Sequence, residues 1–303
     1  MPTEPPAWLH VLPEVAAALA SGRPVVALES TVITHGLPEP VNLELARRLE
    51  GEVREAGAVP ATVAVIDGRV CLGVTTDQLE RLALSRKLMK ISRRDFGAAL
   101  AQRATGGTTV AATMIAAHAG GIRVFATGGI GGVHRGLAGD VSADLPELAR
   151  TPVIVVCAGA KAILDLPRTL EWLETAGVPV VGWGTDEFPA FFTRSSGLRL
   201  SARVDNAVEA AALIRAQWTL GLRSGVLICV PCPEDVAVSA EAVEPVLRTA
   251  LQQAEAQGVR GKEVTPFLLA RLAELTGGDT LRANLGLLRN NARVAAELAR
   301  TFA

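Results

Sequence analysis

The stretch "VVCAGAKAIL" runs from an apolar, β-branched segment into an Ala-Gly-Ala corner and there carries one lysine, Lys161. Most lysines lay their stems along apolar surface and keep the ammonium in water. A lysine at the end of a buried strand has a second use, as a nucleophilic amine. That use requires the unprotonated form, so the amine's pKa must fall from ~10.4, through desolvation or a neighbouring cation. The approach "VIVVCAGA" supplies apolar surroundings, and Glu29 in "ALES" stands at the end of another apolar run. An amine nucleophile and a carboxyl proton carrier can therefore face each other across one crevice.

Other stretches have two readings each. "GGTTVAATMIAAHAG" opens with two glycines and two threonines and continues as an Ala-rich helix. A helix start of this kind offers free N–H groups and hydroxyls to a phosphate, and it is equally an ordinary threonine cap. Lys90, in "KISRRD", could supply the countercharge or simply be solvated. "TGGIGGVHRG" follows a strand but misses the dinucleotide fingerprint, because the third glycine would fall at His134. It reads instead as a mobile substrate loop carrying that histidine. "GDVSADL" sets Asp140, Ser142 and Asp144 at alternate positions, a spacing open to a hard cation, although a helix start with acidic first-turn residues is favoured. Cys229 and Cys232 form "CVPC" after an apolar strand, with no second Cys or His pair downstream, and read as packing before redox or zinc.

The elements that must position these residues are short apolar runs alternating with amphipathic stretches. "PVVALES", "ATVAVID", "IRVFATGG", "TPVIVVCAG", "VPVVGWGT" and "GVLICVPC" each read as a strand covered on both faces. Between them lie helical patterns such as "PVNLELARRLEGEVREAG" and "DLPRTLEWLETAG", each closed by glycine. The expected class is α/β, with a mostly parallel, mixed central sheet flanked by helices on both faces. From about residue 234 only helical periodicity remains, giving a helical C-terminal segment. No linker or composition shift divides the chain, so residues 1–303 are expected to form one domain. In such sheets ligands bind beyond the carboxyl ends of the strands, where Glu29, Thr127 and Lys161 fall.

Composition bounds the partners. Of 303 residues 49% are hydrophobic and the net charge is −1 with both signs scattered, so neither nucleic acid nor a membrane surface is expected as a partner. The acidic, proline-bearing start "MPTEPPAWLH" is unlike a secretory peptide, no apolar run is long enough to span a bilayer, and four cysteines are too few for a disulfide scaffold. The expectation is a cytoplasmic protein with a small substrate.

From "ALESTVITHGLPEPVNLELA" through "PATVAVIDGRVCLGVT", "KISRRD", "GGTTVAATM" and "VFATGGIGGVHRG" to the long string beginning "DVSADLPELARTPVIVVCAGAKAIL" and the late "NNARVAAELA", the chain resembles the pseudouridine-5'-phosphate glycosidases over nearly its whole length. The resemblance implies a lyase that reversibly cleaves the C–C glycosidic bond of pseudouridine 5'-phosphate with water, giving uracil and ribose 5-phosphate. It also implies a divalent metal, usually manganese, and a homotrimer. In the cell it implies pseudouridine breakdown, fed by a separate pseudouridine kinase. The family's Schiff-base lysine falls on Lys161, its proton donor on Glu29 and its metal aspartate on Asp140. The segment Ser142, Ala143 and Asp144 matches positions beside the sugar phosphate. Lys90, Thr109 and Val110 match phosphate contacts, and Thr127, His134 and Asn284 match further pocket members. Trp183 and Phe192 stand where the family usually has tyrosine, and this chain has none. The alternatives are another Schiff-base lyase of the aldolase kind acting on a sugar phosphate, and a binding protein that has lost catalysis. The second of these predicts loss of Lys161 or Glu29, and both are present.

Overall fold

A computed structural model describes residues 6–135 and 140–303 of the chain. In chain order the first half contains β1 (Leu9–Val11), α1 (Pro13–Ala20), β2 (Val25–Leu28), α2 (Val41–Glu55), β3 (Val59–Ile66), β4 (Arg69–Leu72), α3 (Thr76–Leu84), β5 (Met89–Ile91), α4 (Phe96–Ala101), β6 (Gly106–Thr108), α5 (Val110–Ala119) and β7 (Val124–Ala126). The chain continues with β8 (Val133–His134), α6 (Asp144–Leu148), β9 (Ile154–Cys157), β10 (Leu164–Asp165), α7 (Leu166–Thr175), β11 (Val180–Trp183), β12 (Ala202–Val204), α8 (Ala207–Thr219) and β13 (Val226–Cys229). Three helices close it, α9 (Ala240–Ala256), α10 (Val264–Leu275) and α11 (Asp279–Arg300).

The six apolar runs all become strands of one sheet, whose main path is β1-β4-β3-β2-β7-β9-β13-β11-β12. From β3 to β12 along this path every pairing is parallel, and antiparallel pairing enters only where β3 meets β4 and β6. Every residue of β2, β3, β9 and β13 is buried, which is the state of strands covered on both faces. One covering set is α2, α8 and α11, with α11 lying against β2, β7 and β9; the other includes α1 and α5. The fold is thus α/β with a mixed, mostly parallel sheet between helices, as the apolar runs predict. β4 is an addition. It pairs back on β3 through an Asp67-Gly68 turn with φ of 49° and 78°, the left-handed pair that two-residue hairpins demand.

The C-terminal helix is tied to α2 by charge as well as packing. Glu52, 1% exposed on its side chain, accepts hydrogen bonds from Arg48 of its own helix at 2.8 Å, from Arg289 at 2.8 Å and from Arg293. Burial by itself would raise the Glu52 pKa, but the hydrogen bonds from Arg293, Arg289 and Arg48 outweigh it and hold the group down to about 2. Among the described residues no helix is long and apolar enough to cross a membrane.

Candidate active site

β2, β7 and β9 lie side by side and run in one direction, so their carboxyl ends open together. Glu29 follows β2, Thr127 follows β7, and the corner that carries Lys161 follows β9. Beyond the strands the last two segments stay zipped: Ala158 N–H donates to Gly128 O at 2.8 Å, Ile130 N–H to Gly159 O at 3.0 Å and Lys161 N–H to Ile130 O at 3.1 Å. The expected mobile glycine loop is therefore, from Gly128 to Val133, buried and hydrogen-bonded to its neighbour. His134 belongs to β8, which pairs with β10 just after Lys161. A side chain at Gly131 would meet Ser142 Oγ at 2.2 Å, and one at Gly159, where φ is +78°, would meet Pro189 O at 2.2 Å. Close approach thus dictates these two glycines.

The strand ends enclose a cavity of about 140 Å³, lined by Glu29, Lys90, Thr109, Val110, His134, Ser142, Ala143, Asp144, Lys161 and Asn284. That is roughly ten times the 10–15 Å³ that admits one water, so a small ligand has room. Thr127 sits behind the wall: it is 1% exposed and its hydroxyl donates to Glu29 Oε1. The other carboxyl oxygen, Oε2, accepts from the hydroxyl of Thr31. Ser30, between them in sequence with Glu29, points the other way; its Oγ donates to Val63 O at 2.6 Å and accepts Thr108 N–H at 2.9 Å.

The Gly-Thr helix start is a threonine cap that also faces the cavity. Thr109 is the N-cap of α5, its hydroxyl accepting Ala112 N–H at 3.4 Å, and Thr109 and Val110 also line the cavity. Asp144 opens α6, with its own N–H bonded to Ser142 Oγ at 3.2 Å, but its carboxylate caps a different helix. Oδ1 accepts Ala111 N–H of α5 at 2.9 Å and Oδ2 accepts Gly131 N–H at 2.8 Å. Asp144 thus clips the α5 start to the glycine segment. Lys90 is held by Lys262, each ammonium donating to the other's backbone carbonyl at 3.1 Å. Burial and the Lys161 cation push the Lys90 pKa down.

Several wall residues carry no signal in the sequence reading, among them His35, Phe191, Thr265, Pro266 and Leu269. His35 lies in a π-helical turn, Val32–Gly36, and burial, followed by the Lys90 cation, lowers its pKa. Phe191 adopts φ of +64°, rare for an aromatic residue, and its ring lies where a Cβ on Gly129 would be 2.7 Å away. Thr31 was readable as a hydroxyl two positions after Glu29, whereas α10 contributes through tertiary packing alone. Phe192 lies behind Phe191, ring centroids 4.7 Å apart in an edge-to-face pair, and Trp183 sits in β11 outside the cavity wall.

The four thiols are free and buried. Cys229 faces Cys157 across β13 and β9, where burial and that neighbour raise its pKa, and burial pushes the Cys232 thiol up to about 12. Neither is a poised nucleophile. Asp140 stands outside the cavity wall, with its backbone carbonyl accepting His134 N–H at 2.9 Å. Among the described residues no three His, Cys, Asp or Glu side chains gather as a ligand set. A divalent ion here would rest on one carboxylate and water, a coordination that hard, strongly hydrated cations accept.

Fold and site define an α/β protein that brings a lysine amine, a carboxyl and a helix N-terminus to one small pocket. The family profile described as "Indigoidine synthase A like protein" matches residues 14–301. A pseudouridine-5'-phosphate glycosidase of Solibacter usitatus is 56% identical over 96% of this chain and 98% of its own, and one of Chloroflexus aurantiacus is 59% identical over 96% and 97%. Among solved structures, the prealnumycin C-glycosynthase AlnA in complex with ribulose 5-phosphate superposes with a TM-score of 0.90 at 42% identity, covering 98% of each chain. An indigoidine synthase A-like protein from Thermotoga maritima gives 0.89 at 36%, covering 97% of this chain and 96% of its own. The chain belongs to the indigoidine synthase A-like family, that of the pseudouridine-5'-phosphate glycosidases.

Proposed function

We propose that this protein is a pseudouridine-5'-phosphate glycosidase, converting pseudouridine 5'-phosphate and water reversibly into uracil and ribose 5-phosphate. The observation that carries the reading is the convergence of Lys161 and Glu29, from the parallel strands β9 and β2 on either side of β7, on one cavity that also holds Lys90 and the start of α5. Relatives of that name, and a C-glycosynthase with a five-carbon sugar phosphate bound, support it.

The bond to be broken joins the sugar C1' to a carbon of uracil, which holds departing electrons poorly. Protonation and water alone, as used on O-glycosides, do not suffice. Glu29 delivers a proton to the ring oxygen as the sugar opens and the Lys161 amine bonds to C1'. The resulting ammonium gives a proton back to Glu29, and the freed nitrogen lone pair forms the C=N bond of an imine while the C1'–uracil bond breaks and the uracil carbon takes that proton from Glu29. Water hydrolyses the imine and returns the amine and ribose 5-phosphate. Lys90, the Thr109 side chain and the N–H of Val110 bind the phosphate, and His134, Asn284 and the Ser142–Asp144 segment shape the rest of the pocket. Manganese bound through Asp140 would order water and charge at the rim. A homotrimer, a cytoplasmic setting and a separate kinase that supplies the 5'-phosphate belong to the same reading.

The test is synthesis in reverse. Incubated with uracil, ribose 5-phosphate and manganese, the protein yields pseudouridine 5'-phosphate; absence of product with every divalent metal tried overturns the assignment.

A further inference from the structure

We infer that Thr31 is a positioning residue for the proton carrier, aiming the Glu29 carboxyl through its hydroxyl; this rests on the glycosidase reading above. Thr31 occupies the N-cap of the π-helical turn Val32–Gly36, where a threonine hydroxyl ordinarily accepts a backbone N–H from the helix start. It makes no such cap, and donates instead to Glu29 Oε2. Thr127 donates to Oε1 from the opposite side, its own backbone carbonyl fixed by Asn291 Nδ2 at 2.8 Å. The two hydroxyls take one oxygen each, so rotation of the carboxyl group costs both bonds. Glu29 is 7% exposed and Thr31 8%, so little of either meets water and a lost donor leaves a poorly solvated carboxyl oxygen. Unlike Thr127, Thr31 also lines the cavity itself, which lets its hydroxyl follow the carboxyl when the proton moves. π-helical turns recur at functional sites, and this one begins three residues after Glu29.

The experiment compares Thr31→Val, which keeps the shape and removes the hydroxyl, with Thr31→Ser, which keeps the hydroxyl. Steady-state cleavage of pseudouridine 5'-phosphate and thermal melting are measured for both and for the wild type. Thr31→Val is expected to lower kcat roughly 10-fold, the worth of one buried hydrogen bond, with KM changed less than about threefold. Thr31→Ser is expected to return kcat to within about threefold of the wild type. Thr31→Ala serves as a second hydroxyl-free variant should the valine not fold. Wild-type kcat in a hydroxyl-free variant overturns the inference, as does an equal loss in the serine variant accompanied by a lowered melting temperature, since packing would then be the cause. An inactive wild type instead removes the glycosidase reading, so the two failures are distinguishable.

Discussion

Lys161 and Glu29 were legible as cavity residues because each falls just past an apolar run, although Asp67 does so too and stays in an exposed turn. Their roles make sharp predictions. Lys161→Ala should abolish turnover while leaving the melting temperature near that of the wild type, and borohydride added with ribose 5-phosphate should increase the mass of the peptide containing Lys161; mass on another lysine would contradict the imine assignment. Lys90→Met should raise KM for the phosphorylated substrate at least tenfold, since about 1.5–3 kcal/mol attends a hydrogen bond to a charged group. What the sequence could not reveal is which polar groups meet. Asp144 could be read as a cap or a ligand, yet its carboxylate caps α5, whose Ala111 lies 33 residues earlier, and no local spacing encodes that. The same holds for Thr31, whose bond to a neighbour depends on the chain folding into a π-helical turn.

At the level of elements, the six strands inside apolar runs were readable from β-branched content, even β7 with its three residues, and the short ones outside such runs were not. β5, β6, β8, β10 and β12 run two or three residues each, too few for a period to show, and they form because a neighbour offers an edge. The β3–β4 hairpin did carry a local signature in Asp67-Gly68. The glycine segment after β7 is where element and site meet. Gly131→Ala would drive a methyl to 2.2 Å from Ser142 Oγ and 2.8 Å from Asp144 Oδ2, separating the glycine bed from the α5 start. We expect about 1–3 kcal/mol of lost stability and a larger fractional loss of turnover, readable by chemical denaturation beside activity.

Across the whole molecule, the bond between α2 and α11 makes part of the stability acid-sensitive. The Glu52 pKa is lowered from an ordinary 4.5 to about 2, so its contribution is fully present above pH 4.5 and is lost as the pH falls through about 2. Glu52→Gln should lower stability near neutral pH by about 2 kcal/mol and flatten the decline between pH 4.5 and 2, as followed by denaturant titration at each pH. The overall class was legible in the alternation of apolar and amphipathic segments. The clamp was not, because its partners sit in helices at opposite ends of the chain.

That distance has a consequence for the order in which the protein comes into being. Glu29 is among the first site groups a ribosome makes, but α11 supplies Asn284 and Leu288 to the cavity, Asn291 to the carbonyl of Thr127, and two of the three arginines on Glu52. A nascent chain that has made Lys161 and the whole sheet still has an open, unbraced pocket. A chain that stops before α11 is therefore expected to show no turnover.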